Sequence, residues 1–270
     1  MVTLKSAREL KTMRRSGKVT AAVLTELMQK ARAGMTTGQL DEMAENGIRE
    51  RGGIPTFMGY HGYAASICAS VNDEVVHGIP GDRVLRDGDL LSIDIGTTLD
   101  GYVSDSAVTV AIGAISHEAQ RLLDVTQECL MIGIAKMQRG NRLGDIGHAI
   151  QKHAEGHGYG VVRELVGHGV GTAMHEEPQV PNFGKAGTGI ELRPGLVLAI
   201  EPMITQGSHE VEILKDGWTV VTADGKLAAH FEHTIAVTEG GPRILTLRNF
   251  GEHPEVAQYV PDAERSGAHA

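Results

Sequence analysis

The stretch LSIDIGTTLDGYVSDSA (91–107) carries two aspartates, Asp94 and Asp105, in a pattern typical of two strands joined by a polar turn. If Leu99-Asp100 forms the turn, the aspartates lie directly opposite each other. If Asp100-Gly101 forms it, they become diagonal neighbours. In either register both carboxylates project from one face within roughly 5 to 8 Å. Like charges at that separation repel each other, so either the aspartates face solvent, with Asp105 on an edge strand, or divalent cations are held by the pair.

Three further residues could complete such a site. Glu201 lies in VLAIEPMI, a run typical of a buried strand, Glu232 stands at the entry to an apolar strand in AAHFEHTIAV, and His168 stands between glycines in VGHGVG. Four carboxylates and one imidazole suit a two-metal hydrolytic site, in which ions about 3.5 to 4 Å apart activate a water. Such a ligand set accepts Co, Mn, Fe or Zn, and ligand type alone does not choose among them.

Two pairs of helices are predicted to support these residues. Capping patterns begin a long helix at Ser6 and a shorter one at Thr36, and a second long and short pair follows Ser116. Residues 34–53 align with 140–158 at a fixed offset of 106, Gly34 pairing with Gly140.

This offset indicates an internal duplication in which each half gives two helices and then a β-rich stretch. We therefore expect a single α+β catalytic domain over 1–250, with halves of about 1–112 and 113–250. The polar residues 251–270 are expected to form a disordered tail.

Composition excludes several classes of protein. Of 270 residues, 41% are hydrophobic and 22% charged, and the net charge of −9 comes without a basic cluster, which disfavours binding to nucleic acid. The two cysteines, Cys68 and Cys129, form no C-x-x-C pattern, so neither a disulfide framework nor a thiolate zinc site is expected. No apolar run suits a signal peptide or a membrane span, so we expect a cytoplasmic protein without membrane contact.

Six motifs carry a family resemblance. They are YHGY (60–63), VVHGIPGD (75–82), LSIDIG with SDSA, GHGVGTAMHEEP (167–178), IEPM (200–203) and FEHTIAVT (231–238). Together they resemble the type I methionine aminopeptidases, a group of pita-bread metallopeptidases, over nearly the whole chain. The resemblance implies a pita-bread fold, in which two pseudo-symmetric halves each pack two helices on a curved antiparallel sheet.

The resemblance also implies roles for the residues of the site. The metal ligands would be Asp94, Asp105, His168, Glu201 and Glu232. Asp105 and Glu232 would bridge two divalent ions, and a metal-bound hydroxide would be the nucleophile, with Glu201 taking and returning its proton. His77 and His175 match the family's two other active-site histidines, which would contact the scissile amide and stabilise the oxyanion.

In the methionine pocket, this sequence differs from the common family pattern at two positions. The matching positions are Tyr60, His61, Tyr63, Cys68 and Trp218. Phe57 stands where a second pocket cysteine is often found, and Met174 where an aromatic often precedes the second histidine. These two departures make the shape of the pocket less predictable than the metal site.

The activity implied by the resemblance is removal of the initiator methionine from nascent polypeptides, with preference for a small second residue. The ribosome is a candidate partner, and we expect a monomer because no heptad pattern demands association. Two alternatives stay open from the residues: an Xaa-Pro peptidase would carry the same five ligands, and a binding protein of the same fold would lack catalysis. The short chain and the matches at YHGY and Trp218 disfavour the first, and the complete ligand set disfavours the second.

Overall fold

Residues 2–248 are described in the computed structural model of the protein, and the predicted tail at 251–270 lies outside them. The helices are α1 (Ala7–Lys30), α2 (Thr37–Glu50), α3 (His117–Lys136) and α4 (Leu143–Gly156). The strands are β1 (Ile54–Pro55), β2 (Ile67–Val71), β3 (Glu74–Val76), β4 (Leu90–Leu99), β5 (Tyr102–Ala111), β6 (Gly160–Val161), β7 (Gly167–Gly169), β8 (Glu176–Val180), β9 (Val197–Ile200), β10 (Met203–Thr205), β11 (Val211–Ile213), β12 (Val220–Thr222), β13 (Ala228–His230), β14 (His233–Thr238) and β15 (Gly241–Ile244).

Side-chain caps begin the first three helices where the sequence predicts them. The Ser6 hydroxyl accepts from the Glu9 backbone, and the Glu9 carboxylate accepts in return from Ser6, which completes a capping box. Thr36 forms the same arrangement at the start of α2, and the Ser116 hydroxyl caps α3. Each cap satisfies backbone N–H groups that the first helical turn leaves without partners.

Two antiparallel sheets dominate the fold. In the first, β1 and β2 both pair with one edge of β4, and β5 pairs with its other edge. Helix α1 packs against β4 and β5. The second has the strand order β15-β14-β9-β7-β8, and α3 contacts β9. Two smaller sheets, β13-β10-β6 and β11-β12-β3, lie beside them. The succession of two helices and then strands therefore occurs twice along the chain, and the duplication with its boundaries stays a prediction.

The turn of the acidic hairpin selects one of the two registers left open by the sequence. Asp100 and Gly101 form the turn with φ values of 50° and 78°, the left-handed pair that a two-residue hairpin requires. Asp94 consequently pairs with Ala107, and Asp105 with Gly96. The two aspartates are diagonal neighbours on one face.

One apolar core joins the helices to the sheets. Leu24 of α1, Ile93 of β4, Ile134 of α3 and Ile200 of β9 all belong to it and are essentially inaccessible to solvent. At Gly133, where α3 crosses the second sheet, an added Cβ would lie 3.3 Å from the Ile200 side chain. Because side chains alternate along a strand, the packing of Ile200 against α3 directs the next residue, Glu201, to the opposite side. Within residues 2–248, no helix combines the length and apolarity needed to span a bilayer.

Candidate metal centre

A cavity of about 310 Å³ brings together every residue that the sequence analysis assigned to the site. Those residues are Tyr60, His61, Tyr63, Cys68, His77, Asp94, Asp105, His168, His175, Glu201, Trp218 and Glu232. The walls also contain Phe57 and Met174 and four residues that the sequence did not indicate: Val76, Leu165, Val166 and Met203. Those four are ordinary apolar residues, and only their position in the folded chain distinguishes them.

Each of the five candidate ligands lies on a strand or directly beside one. Asp94 and Asp105 lie on β4 and β5 of the first sheet, whereas His168 lies on β7 of the second. Glu201 follows β9 immediately, and Glu232 immediately precedes β14. The site is therefore built where the two sheets meet, on rigid elements rather than on long loops.

His168 is oriented as a metal ligand would be. Its Nδ1 lies 2.9 Å from the Gly169 carbonyl oxygen, which can only accept, so Nδ1 carries the hydrogen and Nε2 has a free lone pair. That Nε2 lies 3.7 Å from Asp105 Oδ2 and 3.5 Å from Glu201 Oε1. Donor atoms of Asp105, His168 and Glu232 all lie within 4.8 Å of one another.

Hydrogen bonds join β5 to the segment around β14 at the site itself. The Thr234 hydroxyl accepts from the Asp105 backbone N–H at 2.9 Å and donates to the Asp105 carbonyl at 2.8 Å. The Ser106 hydroxyl donates to the Glu232 carbonyl, and the Glu232 N–H donates to the Ala107 carbonyl. These contacts fix the position of Asp105 relative to Glu232, although the two residues are far apart in sequence.

Burial disfavours the ionised form of all four carboxyl groups in the protein without metal, and repulsion by neighbouring carboxylates adds to this for Asp94, Glu201 and Glu232. Desolvation raises the pKa of Asp105 to about 7. It also raises the pKa of Asp94, Glu201 and Glu232 well above their usual ranges, and the charge of Asp105 adds to the shift of each. Such a cluster is stabilised in its ionised form by a cation of high charge.

Carboxylate oxygens without hydrogen-bond partners indicate that this cation would be coordinated directly by the side chains. Among the described residues, Asp94 Oδ1, Asp105 Oδ1 and Glu232 Oε1 are buried without a hydrogen-bond partner. Buried polar atoms normally have such partners, and a divalent metal ion would satisfy all three oxygens together with the lone pair of His168. The residues present therefore fit divalent metal binding.

His77 and His175 line the same cavity as the five candidate ligands. Desolvation lowers the pKa of His77, and the nearby His175 contributes to the shift. Solvent reaches His175, but the surrounding protein withdraws much of its ring from water, and this desolvation, followed by the charges of His168 and His61, lowers its pKa to about 4. Both rings are consequently neutral at pH 7. The Tyr60 hydroxyl lies 2.6 Å from His175 Nδ1.

The apolar end of the cavity is held by side chains from both halves of the chain. The buried Tyr63 donates from its hydroxyl to the Ile67 carbonyl, and its ring meets Trp218 edge to face at 5.0 Å between centroids. Trp218 also lies edge to face against His77 at 6.5 Å. Cys68 is 5% exposed and pairs in register with Asp94 across β2 and β4. The sulfur is thus part of the wall beside the metal centre.

The two positions that depart from the family pattern pack in the same apolar cluster. Phe57 and Met174 are both buried and lie with Tyr63 and Cys68. The Phe57 ring covers Gly96, where an added Cβ would come within 2.6 Å of the ring. The larger side chain at 57 is accommodated because Gly96 lacks a Cβ.

Comparison with known proteins gives consistent matches over most of the chain. Residues 11–239 match the model of metallopeptidase family M24. Methionine aminopeptidase 1 of Bacillus subtilis is 52% identical over 246 residues, which cover 91% of this chain and 99% of the relative. The crystal structure of methionine aminopeptidase from Thermotoga maritima superposes with a TM-score of 0.90 at 42% identity, covering 91% of this chain and 99% of that one.

A more distant structural relative shares the fold alone. Prolidase from Pyrococcus furiosus superposes with a TM-score of 0.74 at 18% identity, covering 90% of this chain and 65% of the other. Together with the four helices and antiparallel sheets described above, these neighbours confirm the α+β pita-bread architecture expected from the sequence.

Proposed function

This chain belongs to metallopeptidase family M24, and within it to the type I methionine aminopeptidases, and on that premise we propose that it removes the initiator methionine from newly made polypeptides. The observation that carries the proposal is the convergence of five candidate metal-ligand side chains on one cavity, three of them with buried oxygens that lack other partners among the described residues. The protein is accordingly a metal-dependent hydrolase.

We propose two divalent ions in this site, held by Asp94, Asp105, His168, Glu201 and Glu232. Asp105 and Glu232, whose donor atoms lie close to His168, are the candidates to bridge them. When bound, the ions would supply Lewis acidity toward the scissile carbonyl and lower the pKa of water. Oxygen-rich ligation with one imidazole is compatible with Co, Mn, Fe or Zn.

The protein's own groups would manage the protons and the developing charge. Glu201 can take a proton from the attacking water and return it to the leaving amine. Desolvation raises the pKa of Tyr60, so its hydroxyl keeps its proton and can donate to His175 Nδ1. His175 Nε2 would then carry a hydrogen and could stabilise the oxyanion, while His77 binds the scissile amide.

Selectivity for methionine would come from the apolar end of the cavity. Tyr60, Tyr63, Cys68 and Trp218 present aromatic and sulfur surfaces to a flexible thioether side chain, which packs well against such rings. His61, which is exposed and meets Tyr60 edge to face, lies at the rim. A bulky second residue would collide with the walls beside the metals, so small second residues are preferred.

The alternative functions are not favoured. An Xaa-Pro peptidase shares the fold, but the prolidase structure is only 18% identical, whereas the methionine aminopeptidase of Bacillus subtilis is 52% identical over nearly its full length. A non-catalytic binding protein would have no need of the complete ligand set. We further propose that the protein acts in the cytoplasm, as a monomer, on chains emerging from the ribosome, because that is where initiator methionines first become accessible.

Peptide cleavage after metal reconstitution tests the proposal. The protein is stripped of metal, single divalent ions are restored, and hydrolysis of Met-Ala, Met-Leu and Ala-Pro peptides is compared. We expect Met-Ala to be cleaved fastest and metal-free protein to be inactive. Preferential cleavage of Ala-Pro would favour the Xaa-Pro peptidase, and inactivity with every ion would favour the binding protein.

A further inference from the structure

A second group of metal-binding side chains lies on the outer surface of the α3–α4 pair. Glu128 of α3 and His153 and His157 at the end of α4 have donor atoms that all lie within 4.8 Å of one another. None of these three residues lines the cavity of the catalytic centre. We propose that they form a separate surface site for one divalent transition-metal ion, with Zn²⁺ as the representative ligand.

Helical spacing brings the two imidazoles together. His153 and His157 are four residues apart, one helical turn, so their side chains lie on the same face. Their ring centroids are 4.5 Å apart with an angle of 57° between the planes. Two histidines in this relation can direct one nitrogen each toward a common point, as in other helical metal sites.

Hydrogen bonding leaves His157 ready to coordinate. Its Nδ1 lies 2.9 Å from the His153 carbonyl oxygen, which can only accept, so Nδ1 carries the hydrogen. The lone pair is then on Nε2, and the carbonyl fixes the ring in place. Metal-bound histidines usually have such a backbone or carboxylate partner on the second nitrogen. His168 of the catalytic centre has the same arrangement with Gly169.

Glu128 brings a charged oxygen from the neighbouring helix. Its Oε2 lies 2.7 Å from His153 Nε2, and the two side chains are 55% and 23% exposed. A metal ion can therefore enter from solvent and coordinate both groups. The hydrogen displaced from His153 Nε2 moves to Nδ1 of the same ring or, if the ring is protonated, leaves to solvent. Two imidazoles and one carboxylate, with water in the remaining position, are a ligand set that suits Zn²⁺.

Binding at this site would crosslink α3 to α4. Glu128 lies near the middle of α3, whereas His153 and His157 lie at the end of α4, so an ion would bridge the two helices. An ion that binds only the folded state stabilises that state by RT ln(1 + c/Kd), where c is the free ion concentration. The site would thus add a metal-dependent stabilisation independent of catalysis.

Zinc binding to single variants tests the inference. Zn²⁺ bound per chain is measured by equilibrium dialysis for the full-length protein and for His157→Gln, His153→Gln and Glu128→Gln, with His148→Gln as the matched control on the same helix. His148 is exposed and lies outside the group. We expect the protein and the control to bind one more Zn²⁺ than His157→Gln and His153→Gln, and Glu128→Gln to bind that ion at least about tenfold more weakly.

Thermal melting and turnover give the second readout. Zn²⁺ should raise the melting temperature of the protein and of His148→Gln more than that of His157→Gln. Cleavage of Met-Ala by the reconstituted enzyme should be the same for all of these variants, because none of the residues touches the catalytic centre. Equal zinc stoichiometry in every variant, or an equal loss in His148→Gln, would overturn the proposal.

Discussion

Asp105 acts electrostatically on each of the other three carboxyl groups of the candidate metal centre. It lies between the two sheets, and its charge contributes to the raised pKa of Asp94, Glu201 and Glu232. Asp105→Asn keeps the side chain's shape but removes the charge of the proposed bridging ligand. We expect kcat/KM for Met-Ala to fall at least about a hundredfold, with weaker metal binding measured by dialysis.

The matched control for this change is Asp100→Asn in the same hairpin. Asp100 lies in the turn, where asparagine also tolerates positive φ, and its partner Arg15 is exposed. An exposed ion pair contributes little, so activity and metal affinity should stay near those of the unchanged protein. Near-normal turnover in Asp105→Asn would refute the bridging role.

Tyr60 is expected to position His175 rather than to react itself. Tyr60→Phe removes the hydroxyl that lies 2.6 Å from His175 Nδ1 and with it the bond that selects the ring's tautomer. We expect kcat to fall roughly tenfold, while metal content stays the same, because oxyanion stabilisation is weakened without loss of a ligand. Steady-state kinetics and metal analysis measure the two effects separately.

A second tyrosine provides the control for that substitution. Tyr102 donates to Glu9 of α1 and is not among the residues that line the cavity. Tyr102→Phe should therefore leave kcat unchanged. A loss of metal in Tyr60→Phe would show that the hydroxyl supports the metal centre instead of His175.

At the residue scale, the sequence was enough to predict the ionisable residues of the site, but not the apolar residues that line its cavity. Asp94, Glu201 and His168 were detectable because carboxylates and imidazoles are unusual in apolar strand contexts. Val76 and Met203 line the same cavity, yet nothing in their type distinguishes them from core residues. Roles such as bridging came from the family resemblance and remain to be tested by the substitutions above.

At the scale of elements, turn chemistry decided the register of the acidic hairpin. The sequence allowed Leu99-Asp100 or Asp100-Gly101 as the central turn residues. The tight hairpin turn requires positive φ at both positions, and Asp100-Gly101 forms it because aspartate and glycine tolerate such φ values. Helix starts were equally predictable from local capping pairs. The bonds between β5 and β14 were not, since they join residues more than a hundred positions apart and leave no local signal.

Those bonds give a prediction for Thr234. Thr234→Val keeps the shape of the side chain but removes the hydroxyl that accepts from the Asp105 N–H and donates to its carbonyl. Because both backbone groups are buried, their loss of partners should cost about 1 to 3 kcal/mol in the free energy of unfolding. Urea denaturation measures this, and metal affinity should fall as Asp105 becomes less well positioned.

Thr238→Val on the same strand is the control. Its hydroxyl donates to Gly241 at the turn that ends β14, where the side chain is only partly buried and water can replace the bond. The free energy of unfolding should change by less than it does in Thr234→Val, and metal affinity should not change. Equal destabilisation in both variants would contradict a special role for the contact with Asp105.

For the whole molecule, the meeting of two sheets explains why charged groups are buried at its centre. Asp94 and Glu201 come from the two helix-and-strand halves, and their separation in sequence is close to the offset seen between the helix pairs. We propose that duplication placed an acidic strand in each half and that their junction became the metal centre. Sequence could suggest the two halves, but how they face each other depends on long-range packing.

The same arrangement makes stability depend on metal and pH together. In metal-free protein the carboxyl groups have raised pKa values, so their contribution to stability is complete below their unfolded pKa values and is lost as pH rises through the folded ones. For Asp105 this loss is spread over the pH range below about 7 and is essentially complete above it. Desolvation lowers the pKa values of His175 and His230, and their opposite contribution is already complete above pH 6.5.

Between pH 7 and pH 8.5 the carboxyl groups whose pKa values are raised furthest, those of Asp94, Glu201 and Glu232, should therefore dominate the pH dependence of stability. We expect the free energy of unfolding of metal-free protein to fall over this interval, by up to about 1.4 kcal/mol per pH unit for each proton that unfolding releases, while the metal-bound protein changes less. Urea denaturation of protein stripped of metal, with and without restored Mn²⁺, measures the difference. Glu232→Gln removes one titrating group and should flatten the slope of the metal-free protein. Parallel pH dependence with and without metal would show that repulsion within this cluster does not limit the stability of the fold.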